Sequence, residues 1–154
     1  MSSMTRVRIA AIIPARMGSS RLPGKPLIDV HGLPMVEHVR RRVLRCRGFS
    51  DVVVATCDRE IAEVIERYGG RCLMTSPAHP AATDRVAEAM RQLDCTHVVN
   101  VQGDEILVLA SDLERMVSAM EAEPAKARVM VRSCWLVLAA IKPPHNIPAA
   151  DASI

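Results

Sequence analysis

A chain of 154 residues has room for one domain with a proper core, and 49% apolar against 24% charged residues is the composition of a soluble globular protein. A net charge of +3 is too small to argue for nucleic acid, and 2% aromatic residues leave no stacking platform for single strands. Cys46, Cys57, Cys72, Cys95 and Cys134 are scattered without a Cys-x-x-Cys pair, which suggests neither a disulfide framework nor a zinc site and fits a reducing cytoplasm.

Arg8 to Pro14 is rich in Ile and Ala without polar alternation, the pattern of a strand buried on both faces of a parallel sheet. Its core Ile9 to Ile13 is too short for an export signal, and Cys134 to Ile141 is too short to span a bilayer. A loop follows to Pro26, then a turn at His31-Gly32. Pro34 suits the first position of a helix running to about Arg47, with Met35, Val39, Val43 and Cys46 on one stripe. Arg40, Arg41, Arg42 and Arg45 on that helix read as a solvated face. Asp51 to Thr56 is a second buried strand, followed by a helix from about Asp58 with Ile61, Val64, Ile65 and Tyr68 inward, stopped by Gly69-Gly70.

Arg71 to Met74 is a short third strand. A helix beginning near Thr83 or Asp84 turns Val86, Ala87, Met90 and Leu93 to the sheet, and His97 to Val101 is the fourth strand. Ser111-Asp112-Leu113-Glu114 reads as a capping box starting a helix that carries Leu113, Met116, Val117 and Met120 inward. Strand and helix alternating in this rhythm predict an α/β fold, a three-layer open and mostly parallel sheet with helices on both faces. Val129 to Ile141 is one apolar stretch, a candidate fifth strand, and an irregular Pro-rich tail ends the chain. Residues 1–125 are thus expected to form the α/β unit, with 126–154 a divergent segment. His31, His38, His79, His97 and His145 show no metal-ligand spacing.

The stretch from Ile12 to Pro26 carries Arg16, Arg21 and Lys25, Gly18 and Gly24, Ser19 and Ser20 directly after the first strand. Pro14, Pro23 and Pro26 keep it out of a helix, and the glycines allow positive φ, so a sharply turned loop is expected. Its backbone N–H groups and three cations would form a concave positive site for a polyphosphate. A Walker-type loop fits badly: Gly18 and Gly24 are separated by five residues rather than four, and Lys25 precedes Pro26 instead of Ser or Thr. Pro26 also keeps Lys25 from heading an α-helix.

In an open parallel sheet the strand-to-helix loops emerge at the carboxyl edge, which gathers this loop, the turn at Thr56 and Gln102-Gly103-Asp104-Glu105. A triphosphate is handled with Mg²⁺ held by one or two carboxylates, which makes Asp104 the expected metal ligand.

Pro14-Ala15-Arg16 with Ser20-Arg21-Leu22-Pro23-Gly24-Lys25-Pro26, and Val99-Asn100-Val101-Gln102-Gly103-Asp104-Glu105, resemble the two signatures of the cytidylyltransferases that make CMP-activated acidic sugars, above all the 3-deoxy-manno-octulosonate (Kdo) cytidylyltransferases. The resemblance implies a nucleotide-diphospho-sugar transferase-like fold in which the loop from Pro14 and Ala15 through Ser20 wraps the triphosphate of CTP. It implies that Arg16 and Lys25, with Arg21, contact phosphates, that Gln102 lies against the nucleotide, and that Asp104 binds magnesium. His79 to Arg85 matches a third family pattern in part, with Ala82 for glycine and Asp84 for glutamate; there Thr83 and Arg85 would approach cytosine and ribose. Cys57 stands where many relatives have aspartate and reads as a small buried residue with nothing nearby to activate it.

The reaction so implied moves CMP from CTP to the anomeric hydroxyl of an acidic 2-keto sugar and releases pyrophosphate, a step that feeds lipopolysaccharide biosynthesis when the sugar is Kdo. Arg16, Lys25 and Asp104 would carry the catalysis. The resemblance runs from about Arg8 to Met120, the front half of a family member of ordinary length, and full-length relatives are homodimers. A CTP-binding remnant without transfer activity, or a structural or regulatory partner protein, are the alternative expectations; neither nucleic acid nor membrane is expected as a partner.

Overall fold

The computed structural model describes residues 7–18 and 22–124, together with the backbone of 138–141. A five-stranded sheet in the order β5-β4-β1-β6-β7 is built from β1 (Ile9–Pro14), β4 (Asp51–Thr56), β5 (Arg71–Met74), β6 (His97–Asn100) and β7 (Leu138–Ile141). The first four are mutually parallel, and β7 runs antiparallel to β6 with Asn100 opposite Leu138. A two-stranded ribbon, β2 (Asp29–Val30) and β3 (Leu33–Pro34), stands apart from it.

Every residue of β1 is buried, and the strand shows no polar alternation because both its faces are covered. Ile9, Ala11 and Ile13 enter one core with Val36, Val39 and Val43 of α1 (Met35–Val43), Ile61 and Ile65 of α2 (Arg59–Arg67), and Leu113, Val117 and Met120 of α4 (Ala110–Ala122). Ala10 and Ile12 enter the other with Val86, Ala89 and Met90 of α3 (Ala82–Arg91). The expected three-layer arrangement is therefore present. Crossovers through α1 and α2 step the chain from β1 to one edge, whereas α3 carries it back across the sheet to β6 on the other side of β1. A right-handed crossover that reverses direction puts its helix on the opposite face, which explains why α3 stands there without α1 or α2. The carboxyl ends of β1 and β6 are consequently the point where strand order reverses. Among the described residues no helix is long and apolar enough to cross a membrane.

Three local expectations need correction. The helix α4 begins at Ala110 with Leu109 in the N-cap position, so Ser111 lies inside the first turn and caps nothing. The preceding turn, closed by Val108 N–H to the Glu105 carbonyl at 3.1 Å, sets the helix start instead. Ala87 and Tyr68 are exposed: Ala89 takes the sheet-facing place, and Tyr68 lies beneath the Arg41 guanidinium, 5.4 Å from its ring centre.

The third correction concerns the basic run on α1. Arg40 is 6% exposed and forms a two-pronged pair with the fully buried Glu37, at 2.7 and 2.9 Å. Arg41 donates to the same carboxylate at 2.7 Å, and Arg40 Nη2 also reaches the Tyr68 carbonyl at 3.1 Å. Gly70 makes room for this, since a Cβ there would stand 2.8 Å from Arg40 Nε. A buried ion pair of this kind is costly to break because the survivor is left charged and dry. Replacing Glu37 with Ala is expected to lower stability by about 3 kcal/mol in urea unfolding. A loss under about 1 kcal/mol would mean that the Tyr68 carbonyl alone satisfies Arg40.

Candidate active site

The loop after β1 is held from outside and from within. Ala15 N–H donates to the Ala55 carbonyl at 2.9 Å, which prolongs the β1–β4 pairing, and Met17 N–H donates to Asp58 Oδ2 at 2.7 Å. Gly24, at φ 74°, returns its N–H to the Met17 carbonyl at 3.0 Å and opens a single 3-10 turn over Lys25–Leu27. Lys25 therefore does head a helical turn, although a three-residue one with Pro26 inside it and not an α-helix. The N–H groups of Ala15, Met17, Gly24 and Lys25 are all spent on protein acceptors. Anion holding by these residues falls on the Arg16 and Lys25 side chains and not on a backbone nest. The ribbon that follows turns at His31 and Gly32, both at positive φ (51° and 84°), as a two-residue hairpin connection requires.

At the carboxyl end of β6 the chain turns through Gln102, Gly103 and Asp104, closed by Glu105 N–H to the Gln102 carbonyl at 3.1 Å. The turn lies close against the end of β1: a Cβ on Gly103 would stand 2.8 Å from the Pro14 carbonyl oxygen. Only a residue without a side chain permits that approach. It brings the Asp104 carboxylate to 2.5 Å from Lys25 Nζ, both groups being about half exposed.

The two loops and the start of α3 enclose a cleft of about 230 Å³ lined by Pro14, Ala15, Arg16, Lys25, Arg85, Gln102 and Asp104. Seven of the expected site residues thus meet in one place, joined by His79, quoted from the sequence only as part of the third pattern, and by Met35, which was expected on the core stripe of α1 and lines the cleft instead. Thr83 sits exposed in the first turn of α3 and does not line the cleft. Ser20 and Arg21 lie outside the described residues.

Arg85 is not the solvent-facing residue that a first helical turn suggests. It is 3% exposed, donates to Thr75 Oγ1 and places Nη2 3.4 Å from Cys57 Sγ. It forms no ion pair among the described residues, although the Glu88 carboxylate is near enough to feel its charge, so the cleft wall contains a buried cation. Cys57 is half-buried with a guanidinium beside it, contrary to the expectation that nothing stands near. His79 reaches the cleft by pairing with Glu88 of α3, which also accepts Ser76 N–H at 2.9 Å. Those hydrogen bonds, the Ser76 one first, hold the Glu88 carboxyl below its usual range. Burial pushes the Glu105 carboxyl up, the Asp104 charge adds to it, and Lys25 partly offsets both.

The donor set has a definite character. Arg16, Lys25 and Arg85 suit an anionic, carbonyl-rich ligand, while Asp104 with Glu105 beside it offers hard oxygen atoms. No group of three or more His, Cys, Asp or Glu able to hold a metal occurs among the described residues. One or two carboxylates, with phosphate and water completing the shell, is the way magnesium is bound, so the residues present fit that ion.

A family model described as cytidylyltransferase matches residues 10–143. The Escherichia coli 3-deoxy-manno-octulosonate cytidylyltransferase is 42% identical over 114 residues, 74% of this chain and 46% of that protein. The 8-amino-3,8-dideoxy-manno-octulosonate cytidylyltransferase of Shewanella sp. ANA-3 is 40% identical over 78% of this chain and 50% of its own length. Among solved structures, the CMP:2-keto-3-deoxy-manno-octonic acid synthetase complexed with CTP superposes with a TM-score of 0.75 and 41% identity, over 77% of this chain and 49% of that one. The chain spans about half the length of the curated relatives it matches.

Two outcomes check the site's construction. Gly103→Ala must push the turn off the Pro14 carbonyl and is expected to cost about 1–3 kcal/mol in urea unfolding; an unchanged midpoint would mean that the two backbones part freely. The Glu88 carboxyl, depressed in the folded state, contributes stability above its unfolded pKa that is lost as pH falls through its folded one. Glu88→Gln is therefore expected to flatten the acid limb of a stability-against-pH curve, and an unaltered limb would remove the His79–Glu88 clamp from the account.

Proposed function

The chain belongs to the cytidylyltransferase family, and we propose that its cleft binds CTP and directs transfer of CMP to the anomeric hydroxyl of an acidic 2-keto sugar of the 3-deoxy-manno-octulosonate type. The observation that carries the proposal is the meeting of Arg16, Lys25 and Asp104 at the switch point of the sheet. Arg85 in the same wall supplies a fourth charge, and the two octulosonate cytidylyltransferases support the choice of nucleotide and sugar class. We take residues 1–125 as the nucleotide-binding unit.

In the proposed reaction the sugar hydroxyl oxygen forms a bond to the α-phosphorus, the bond from that phosphorus to the bridging oxygen of the β-phosphate breaks, and pyrophosphate departs. The hydroxyl proton goes to water. Such a transfer asks the protein for placement and for charge at the right oxygen atoms more than for covalent help. Lys25 and Arg16 would neutralise the departing pyrophosphate. To do so Lys25 must leave Asp104, and the exposure of the pair makes that exchange cheap, since such surface pairs contribute about 0–1 kcal/mol. Asp104, thus released, would hold magnesium, with Glu105 beside it. The chemistry that ion supplies when bound is neutralisation of phosphate charge and polarisation of phosphorus. Arg85, buried and with no carboxylate hydrogen-bonded to it among the described residues, would donate to a carbonyl or oxyanion edge of the ligand.

The test is pyrophosphate release with CTP, Mg²⁺ and Kdo. Release sensitive to Asp104→Asn by about 10²–10³-fold, in a variant that unfolds like the parent, is expected; parental release by that variant would take Asp104 out of the metal role. Lys25→Ala is expected to weaken CTP binding more than CMP binding. Equal weakening would mean that Lys25 does not touch the β and γ phosphates, and binding of CTP without any release would leave a nucleotide-binding function alone.

A further inference from the structure

Asn100, the last residue of β6, is 1% exposed, and its Nδ2 has no hydrogen-bond acceptor among the described residues. A buried amide donor without a partner costs free energy, so its retention asks for a reason. The side chain shares the sheet face of Val98, Ala10 and Ile12, toward α3, because strand residues alternate and Asn100 stands opposite Ile12 in the register. It lies beneath the cleft and is not part of its lining. Its hydrogen bond to the cleft lining, among the described residues, is to Gln102, whose Nε2 lies 3.5 Å from Asn100 Oδ1, at the long limit of such a bond.

Gln102 itself lines the cleft and is half-buried, with a carboxamide whose two ends have opposite chemistry. With Nε2 turned down to Asn100, the carbonyl oxygen Oε1 is the end left over for a ligand. That matters because Arg16, Lys25 and Arg85 are all donors, and Asp104 is occupied by Lys25. Gln102 Oε1 would be a neutral side-chain acceptor beside these donors.

We propose that Asn100 is a positioning residue: its buried carboxamide fixes the orientation of the Gln102 amide, so that the cleft offers one acceptor to a hydroxyl or amino group of the substrate. Without Oδ1 at position 100 the Gln102 amide is free to turn, and its Nε2 would then meet the substrate's donor. The inference rests on the reading of the cleft as a CTP site, because it names what one residue of that site recognises. The donor has three sources: the 4-amino group of cytosine, a ribose hydroxyl or a sugar hydroxyl.

A double-mutant cycle on nucleotide binding tests it. Asn100→Val, Gln102→Ala and the double variant are compared with the parent by calorimetric titration of CTP in Mg²⁺, the folded fraction of each being fixed by circular dichroism. Asn100→Val is expected to weaken CTP about tenfold, the worth of one hydrogen bond to a held group, and to have no further effect in the Gln102→Ala background. The same series with UTP, with 2′-deoxy-CTP, and with Kdo added to CTP identifies the donor, as the probe in which the Asn100→Val effect disappears or first arises. An undiminished effect of Asn100→Val without Gln102, or none in any series, overturns the inference while leaving the functional reading in place. Failure of the parent itself to bind CTP overturns that reading instead.

Discussion

Lys25 and Asp104 face each other at 2.5 Å across the carboxyl end of the sheet, and the organisation of the site depends on their meeting. They are 79 residues apart in sequence. One is carried by the loop after β1 and the other by the turn after β6, strands that are neighbours because α3 recrosses the sheet. Each is the natural partner of something the other is not: a phosphate oxygen for the ammonium, a hard cation for the carboxylate. In the free chain each neutralises the other, and the half-exposed pair is weak. On the proposed reading a triphosphate and its cation would open it, and binding would need only an exchange of counter-ions.

Two kinds of constraint make that placement reproducible. Backbone bonds tie the first loop down, from Ala15 to Ala55 and from Met17 to the Asp58 carboxylate. Close approach fixes the second, where Gly103 lets its turn rest on the Pro14 carbonyl. The wall formed by α3 is of another character. Arg85 is buried with a hydroxyl and a thiol as its partners, a state of charge that a core would not tolerate and that a binding cleft can use. The clamp of His79 and Ser76 on Glu88 holds the loop before α3 against the same helix.

Much of this was legible in the sequence where local pattern decides. β4 and β5 keep the bounds that their apolar runs predict, and β1 is shorter by one residue. The loop chemistry of Arg16 and Lys25 and the carboxylate at Asp104 follow from residue types placed after buried strands. What escaped depends on partners distant in sequence. Arg40 looks like one of four solvated arginines until Glu37 is buried beside it and the Tyr68 carbonyl, 28 positions on, closes over it. Arg85 was expected near the nucleotide, but its burial shows only once Thr75 and Cys57 are brought to it. The start of α4 was misplaced because Ser111 and Glu114 make a plausible cap, whereas the preceding turn sets the boundary. Asn100 stood inside the expected fourth strand and the second signature without a role of its own, because only its burial with an unpartnered Nδ2 singles it out.

The central claim is that the edge shared by β1 and β6 is a place for a triphosphate and its metal together. Paramagnetic binding of Mn²⁺ to the unaltered chain, followed with and without CTP, addresses that claim directly. The account predicts little bound Mn²⁺ while Lys25 occupies Asp104, and a sharp rise when CTP draws Lys25 away. Equal Mn²⁺ binding in both conditions would contradict it.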